Sequence, residues 1–258
     1  MLPDAPDRPD AYFLCATPRT GSSLLLGLLD STGVAGRPQA YFRAPDEPLW
    51  ADRWGIPRDE QGDFSYREYV SAALAAGRTG NGVFGAKLMR GTLDELLGKL
   101  GAAHPDFAGD SPSLLNRAFG RTGFLYLRRE DVLAQAVSWL RAEQTNTWFI
   151  GGNGEIGGPG SGERTPAYDP ERIGQLLRLI DEQNASWEAW FASHGVQPHL
   201  VCYEEIDADA TGVTRRLLGS LGLELPPGRA IVLRHRRQAD ELNDQWAARY
   251  RAERRQAD

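Results

Sequence analysis

Apolar positions follow two alternating rhythms along this chain. Short, nearly continuous apolar runs at 12–16, 83–88, 123–127 and 200–203 read as buried strands. Between them, apolar residues recur at helical spacing. Leu25, Leu28 and Leu29 mark a helix that Gly33 ends, and Leu93, Leu96, Leu97 and Leu100 mark another with Gly101 as its stop. Ser65-Tyr66-Arg67-Glu68 and Thr92-Leu93-Asp94-Glu95 each have the form of a capping box, the first opening a helix to about Ala76. Further helices are predicted over 113–119, 131–147 and 170–193. Two more follow, around Val213, Leu217 and Leu221, and around Leu242, Trp246 and Tyr250. Residues 44–64 show no period and read as loop. Residues 150–170, with seven glycines and three prolines, read as a mobile lid or insertion. Strands alternating with helices predict an α/β fold. Its sheet is central and mostly parallel, of four or five strands with 12–16 in the middle, and ligands bind at the strands' carboxyl ends.

Composition narrows the class. At 258 residues the chain reads as a single large α/β domain, 41% hydrophobic and 25% charged. A net charge of −6 argues against a general nucleic-acid binder, which needs a broad basic surface. Arginines are nonetheless locally clustered, as for one small polyanion. No apolar run approaches the ~20 residues of a membrane span, and the acidic, Pro-rich start is unlike a signal peptide. Two cysteines, Cys15 and Cys202, fall in strand-like runs and read as buried free thiols, from which a cytoplasmic location is expected.

The chemistry concentrates where the first strand ends. Thr17-Pro18-Arg19-Thr20-Gly21-Ser22-Ser23 joins strand to helix through a small-residue turn. That geometry points backbone N–H groups and a helix N-terminus at one spot, which suits a phosphate. Thr20, Ser22 and Ser23 add hydroxyl donors, and Arg19 adds a cation able to grip an oxyanion bidentately. The motif is not the nucleotide-hydrolase loop G-x-x-x-x-G-K-[ST], because Gly21 is followed by serine and the cation precedes it. A metal-free cradle fits these residues. Other strand ends carry Lys87, the pair Arg128 and Arg129, and Tyr203-Glu204-Glu205, while Ser138 sits inside the helix after the third strand.

These stretches together resemble the PAPS-dependent sulfotransferases (PAPS is 3′-phosphoadenosine 5′-phosphosulfate, its product PAP), in particular the bacterial carbohydrate enzymes of the trehalose 2-sulfotransferase family. The likeness covers roughly residues 12–251. It rests on Arg19-Thr20-Gly21-Ser22-Ser23, Thr32-Gly33-Val34-Ala35-Gly36, Asn81-Gly82-Val83-Phe84-Gly85-Ala86-Lys87-Leu88-Met89 and Gln135-Ala136-Val137-Ser138-Trp139. Arg237-Gln238-Ala239-Asp240, with Trp246 and Arg249-Tyr250 after it, completes the set. The resemblance implies a P-loop-like three-layer fold and transfer of a sulfuryl group to a hydroxyl of a small sugar, glycolipid or natural product. It implies no metal and makes a homodimer a candidate assembly. It also assigns the 5′-phosphosulfate to the loop from Arg19 to Ser23 and the 3′-phosphate to Ser138 with Arg129 or Arg128, Arg129 being preferred. Lys87 is assigned to the transferring group, Tyr203 to the adenine side, and Arg237 to a second 3′-phosphate contact.

One departure stands out. The family's loop reads Gly-x-Pro-x-Glu-[Tyr/Phe]-Phe, and its glutamate is the general base. Here the loop is Gly36-Arg37-Pro38-Gln39-Ala40-Tyr41-Phe42, so Ala40 stands where the base is expected. Whether replaced or lost, the carboxylate is missing, and slow turnover with intact binding is expected. Two alternatives stay open: a PAPS- or PAP-binding protein without catalysis, and a P-loop nucleotide kinase.

Overall fold

The structure, a computed structural model, describes residues 8–107, 109–148, 165–233 and 241–257. Its centre is a parallel sheet of β1 (Ala11–Ala16), β2 (Phe84–Met89), β3 (Thr122–Arg128) and β4 (His199–Cys202), in the order β2-β1-β3-β4. The expected α/β architecture is therefore present, with the first strand inside the sheet. Every residue of β1 is buried. Period-two alternation explains why: Phe13 and Cys15 enter one apolar cluster, while Tyr12, Leu14 and Ala16 enter another on the opposite face. A strand buried on both sides needs an unbroken apolar run, and that run was the signal in the sequence.

The first face is aromatic. Phe13, Phe42, Phe84 and Phe119 pack there with Tyr41, Trp50 and Tyr69. Phe84 stacks on Phe119 at 5.8 Å between ring centroids. This face is covered by α2 (Glu47–Trp54), α3 (Tyr66–Gly77), α4 (Arg90–Ala103), α5 (Ser111–Phe119) and the end of α7 (Pro170–Ser193). The second face is covered by α1 (Ser22–Thr32) and α8 (Tyr203–Ser220). A third cluster joins α6 (Val132–Thr145), α7 and α9 (Glu241–Ala257) through Ala136, Leu140, Ile173, Ile180, Trp246 and Tyr250. No helix among the described residues is long and apolar enough to cross a membrane.

Several helix starts follow side-chain caps. Ser65 accepts from the Glu68 amide at 3.4 Å, as its capping box predicts, and Asp131 and Asp169 cap α6 and α7 at 2.8 and 2.9 Å. The second box fails: α4 opens at Arg90 behind Met89, which leaves Thr92 inside the first turn, and the helix runs past Gly101. Two further expectations are corrected. Residues 44–64 are not all loop, because a short 3-10 turn (Ala44–Asp46) leads into α2. That helix is short and opens on a proline, so its period is hidden. It is held instead by buried Trp50 and Ala51, and by Glu47, which pairs with Lys99 of α4 and accepts from Tyr66 of α3 at 3.1 Å. Tyr203 does not finish the fourth strand but begins α8. The stretch expected as a lid falls, over 150–164, outside the described residues. Residues 165–169 are coil, which Gln144 holds through the backbone of Ala167.

β1, β2 and β3 end level with one another, since Ala16 pairs with Met89 and with Leu127. Their loops thus leave the sheet side by side. β2 and β3 lie on opposite sides of β1, so the crevice where chain direction reverses opens above β1. A rudimentary fifth strand adds to the outer side of β2, where Gln39 bridges Ala86 in parallel. Gly36 delivers the chain to that position. It sits at φ 71°, and a Cβ there would lie 2.7 Å from the Gly85 nitrogen and 3.1 Å from the Gly77 oxygen. The left-handed backbone alone costs a side chain about 1–2 kcal/mol, and backbone atoms cannot step aside. Gly36→Ala is therefore expected to lower the Tm by about 5 °C or more; an unchanged melting curve would contradict this close approach.

Candidate active site

The loop between β1 and α1 is built from its own backbone outward. The Thr20 hydroxyl donates to the Thr17 carbonyl at 2.9 Å and closes the turn. Gln135 of α6, fully buried, donates through Nε2 to the Thr17 hydroxyl at 2.9 Å and to the Pro18 carbonyl at 2.7 Å. Among the described residues only Arg19 (φ 68°) and Asn146 adopt positive φ without being glycine. Gly21, at φ 82°, is the N-cap of α1 and offers no side-chain cap. The amides of the first turn of α1 accordingly lack intrahelical acceptors and point into the crevice.

Three of the predicted cationic and polar groups converge on this loop. The Arg19 Nε donates to the Ser138 hydroxyl at 3.0 Å, and its Nη1 donates to the Trp148 carbonyl. The Arg129 guanidinium donates to the Arg19 carbonyl at 3.4 Å and lies 4.6 Å from the centre of the Tyr203 ring. Tyr203 in turn packs on Gly21, where an added Cβ would meet the ring at 2.5 Å. Glu204 fastens the neighbouring loop, its carboxylate accepting from the amides of Glu130 at 3.1 Å and Asp131 at 3.3 Å.

The adjacent arginines separate in space. Arg129 is buried beside the loop, whereas Arg128 reaches outward to Glu188 at 2.8 Å. Alternation along the strand end forces this split. Burial, and then the nearby charges of Arg129 and Arg141, push the Arg19 guanidinium down to about 10, still fully charged at neutral pH.

Lys87 and position 40 meet one strand over. The Lys87 amide donates to the Gln39 carbonyl at 2.9 Å, which sets Ala40 beside it at the carboxyl end of β2. Lys87 pairs in register with Leu14, whose side chain faces α1, so the lysine shares the face from which the Arg19 loop enters α1. Arg237 lies outside the described residues. The sequence reading missed the contact that Arg141, one turn beyond Ser138 on α6, makes with Asn243 of α9 at 2.6 Å. It also missed Trp187, whose indole donates to the Ala16 carbonyl at 3.1 Å from a helix far along the chain. Sequence carries no sign of that contact.

Residues 11–253 match the model of the Stf0 sulphotransferase family. Trehalose 2-sulfotransferase of Mycobacterium tuberculosis is 32% identical over 94% of this chain and 94% of its own length. The enzyme of that name from Mycolicibacterium smegmatis is also 32% identical, over 95% of this chain and 96% of its own. Among solved structures, a sulfotransferase from Alicyclobacillus acidocaldarius is similar at 16% identity and a TM-score of 0.46, covering 95% of this chain and 92% of that one. The chain belongs to the Stf0 sulphotransferase family.

The split between the two arginines is testable. Arg128→Ala removes a surface ion pair and is expected to change stability by less than ~1 kcal/mol. Gly21→Ala imposes a left-handed backbone on a side chain and displaces Tyr203, at a cost of about 2 kcal/mol or more. Urea denaturation that ranks the two the other way would contradict the placement.

Proposed function

We propose that this protein transfers the sulfuryl group of PAPS to a hydroxyl of a small-molecule acceptor, with residues 17–23 cradling the 5′-phosphosulfate. The observation that carries the reading is the convergence of Arg19, Ser138, Arg129 and Tyr203 on one loop at the carboxyl end of β1. In this reading Gly21, Ser22 and Ser23 line the cradle, while Thr20, expected to donate its hydroxyl to the ligand, is fully buried and closes the turn through Thr17 instead; Ser138 and Arg129 take the 3′-phosphate, and Tyr203 borders the adenine. Both curated relatives are named for trehalose, so a disaccharide is the first acceptor to try.

The chemistry follows from charge. The acceptor oxygen attacks sulfur in line, the bond from sulfur to the bridging phosphate oxygen breaks, and negative charge builds on that oxygen. Arg19, Lys87 and the amides of α1 supply fixed positive potential there, and they need no reorganisation at the moment of transfer. The acceptor must also shed a proton as the new bond forms. Ala40 stands beside Lys87 where a carboxylate would accept it, and a methyl group accepts none. This loss favours slow turnover, and it also supports a second reading, a PAPS- or PAP-binding protein without catalysis.

Transfer from PAPS to trehalose, followed by mass spectrometry, separates the two. The enzyme reading expects Ala40→Glu to raise kcat by about 10²-fold or more with PAP affinity unchanged. No gain, with PAP still bound, establishes the binding reading. Full activity with alanine in place sinks the proposal that position 40 is the base position. Calorimetry adds a check on the cradle: Arg19→Ala and Ser138→Ala are each expected to weaken PAP binding by about 10-fold or more, and unchanged affinity in both variants refutes the assigned site.

A further inference from the structure

Position 40 is held by its neighbours on both sides. The Gln39 carbonyl accepts from the Lys87 amide at 2.9 Å, and the Tyr41 hydroxyl donates back to the Arg37 carbonyl at 2.6 Å, so the loop keeps the Ala40 methyl at the carboxyl end of β2. No acid lies between Gly36 and Pro45, and Asp46, the first beyond them, pairs with Arg43 at 2.6 Å. Among the described residues no imidazole takes the place of a carboxylate either. His104 ends α4, which starts where β2 stops and packs back along the sheet. His194 ends α7 just before β4, and His199 opens β4. In a parallel sheet all three therefore stand at the amino edge, away from the Arg19 loop.

We propose that the acceptor is an acidic hydroxyl of the phenol class, which enters already ionised and needs no base. The proposal rests on the readings of the donor site and of position 40 given above, and names the acceptor class for that same site. A sugar hydroxyl keeps its proton at neutral pH and must give it to a base during attack. A phenol of the tyrosine type ionises near ~10, and electron-withdrawing groups on the ring bring that value towards neutrality. Its proton goes to water before transfer. The phenolate oxygen then forms the bond to sulfur, the bond from sulfur to the bridging phosphate oxygen breaks, and an aryl sulfate and PAP result. Charge selects the same class. A glutamate at position 40 would set a like charge against an incoming phenolate. Alanine sets none, and the cation of Lys87 on the neighbouring strand attracts the ion. The one departure from the family's loop thus changes which acceptor is favoured, instead of merely slowing the reaction.

The test crosses two acceptors, trehalose and 4-nitrophenol, with two proteins, the wild-type chain and Ala40→Glu, and follows transfer from PAPS by mass spectrometry. Wild type is expected to favour 4-nitrophenol by about 10²-fold or more in kcat/KM. Ala40→Glu is expected to raise kcat/KM for trehalose and to lower it for 4-nitrophenol by about 3–10-fold. The intrinsic reactivity of either acceptor cannot produce that crossing. Across a series of substituted phenols, the pH of half-maximal wild-type rate is expected to move with the ionisation of each acceptor. A midpoint fixed by the protein, a gain for both acceptors in Ala40→Glu, or trehalose used as well as the phenol overturns the proposal. PAP binding without transfer to either acceptor also overturns it and leaves the donor site standing. A chain that does not bind PAP fails at the donor site itself, and the proposal falls with it.

Discussion

Arg19 in the left-handed backbone region is the constraint on which the site depends. An L-residue other than glycine adopts that conformation at a cost of about 1 kcal/mol, so the surroundings must over-determine it. They do so from several directions. Ser138 and Trp148 hold its guanidinium, Arg129 holds its carbonyl, and Gln135 locks the two residues before it. Every one of these partners follows β3 in the chain, so the loop has its shape only once β1 and β3 are paired. The cradle is thus a product of tertiary structure, although its residues are contiguous in sequence.

Under the proposed reading the same arrangement reconciles an acidic protein with an anionic donor. Net charge matters at long range, but the amides of α1 with Arg19 and Arg129 beside them set the local potential. Three of the described carboxylates around the site have partners of their own: Glu204 the loop amides, Asp131 the N-cap of α6, Glu188 Arg128. In the proposed reading, position 40 is the one place where a group that transfer would use is absent. The backbone that delivers it, from Gly36 through the Gln39 bridge to Tyr41 packed on Phe84, is intact. On that reading, the difference from the family's loop is confined to one side chain.

Much of the fold was legible in the sequence because its strands are buried on both faces and its long helices are strongly amphipathic. The whole of α7 could be read from Pro170 and the spacing of Ile173, Leu176, Ile180 and Trp187. α2 could not, because its stability comes from Glu47 meeting Lys99 and Tyr66 on other helices rather than from its own period. Thr92 shows the limit of motif reading: a capping box works only where the backbone leaves the helix, and β2 runs straight into α4 at Met89. The site divides in the same way. Arg19, Ser138 and Tyr203 announced themselves in short motifs, whereas the choice between Arg128 and Arg129 depends on which face of the strand end each occupies. Arg141 is tied to Asn243 of α9, a contact across about a hundred residues that no local pattern encodes.

The central claim is that a cradle of backbone amides and arginines, without a divalent ion, holds the adenosine nucleotide. Titration of PAP into the wild-type chain, once in excess chelator and once in millimolar magnesium, tests it most directly. The account predicts the same dissociation constant in both, weakening as salt screens the arginines. Binding that appears only when magnesium is present would contradict it.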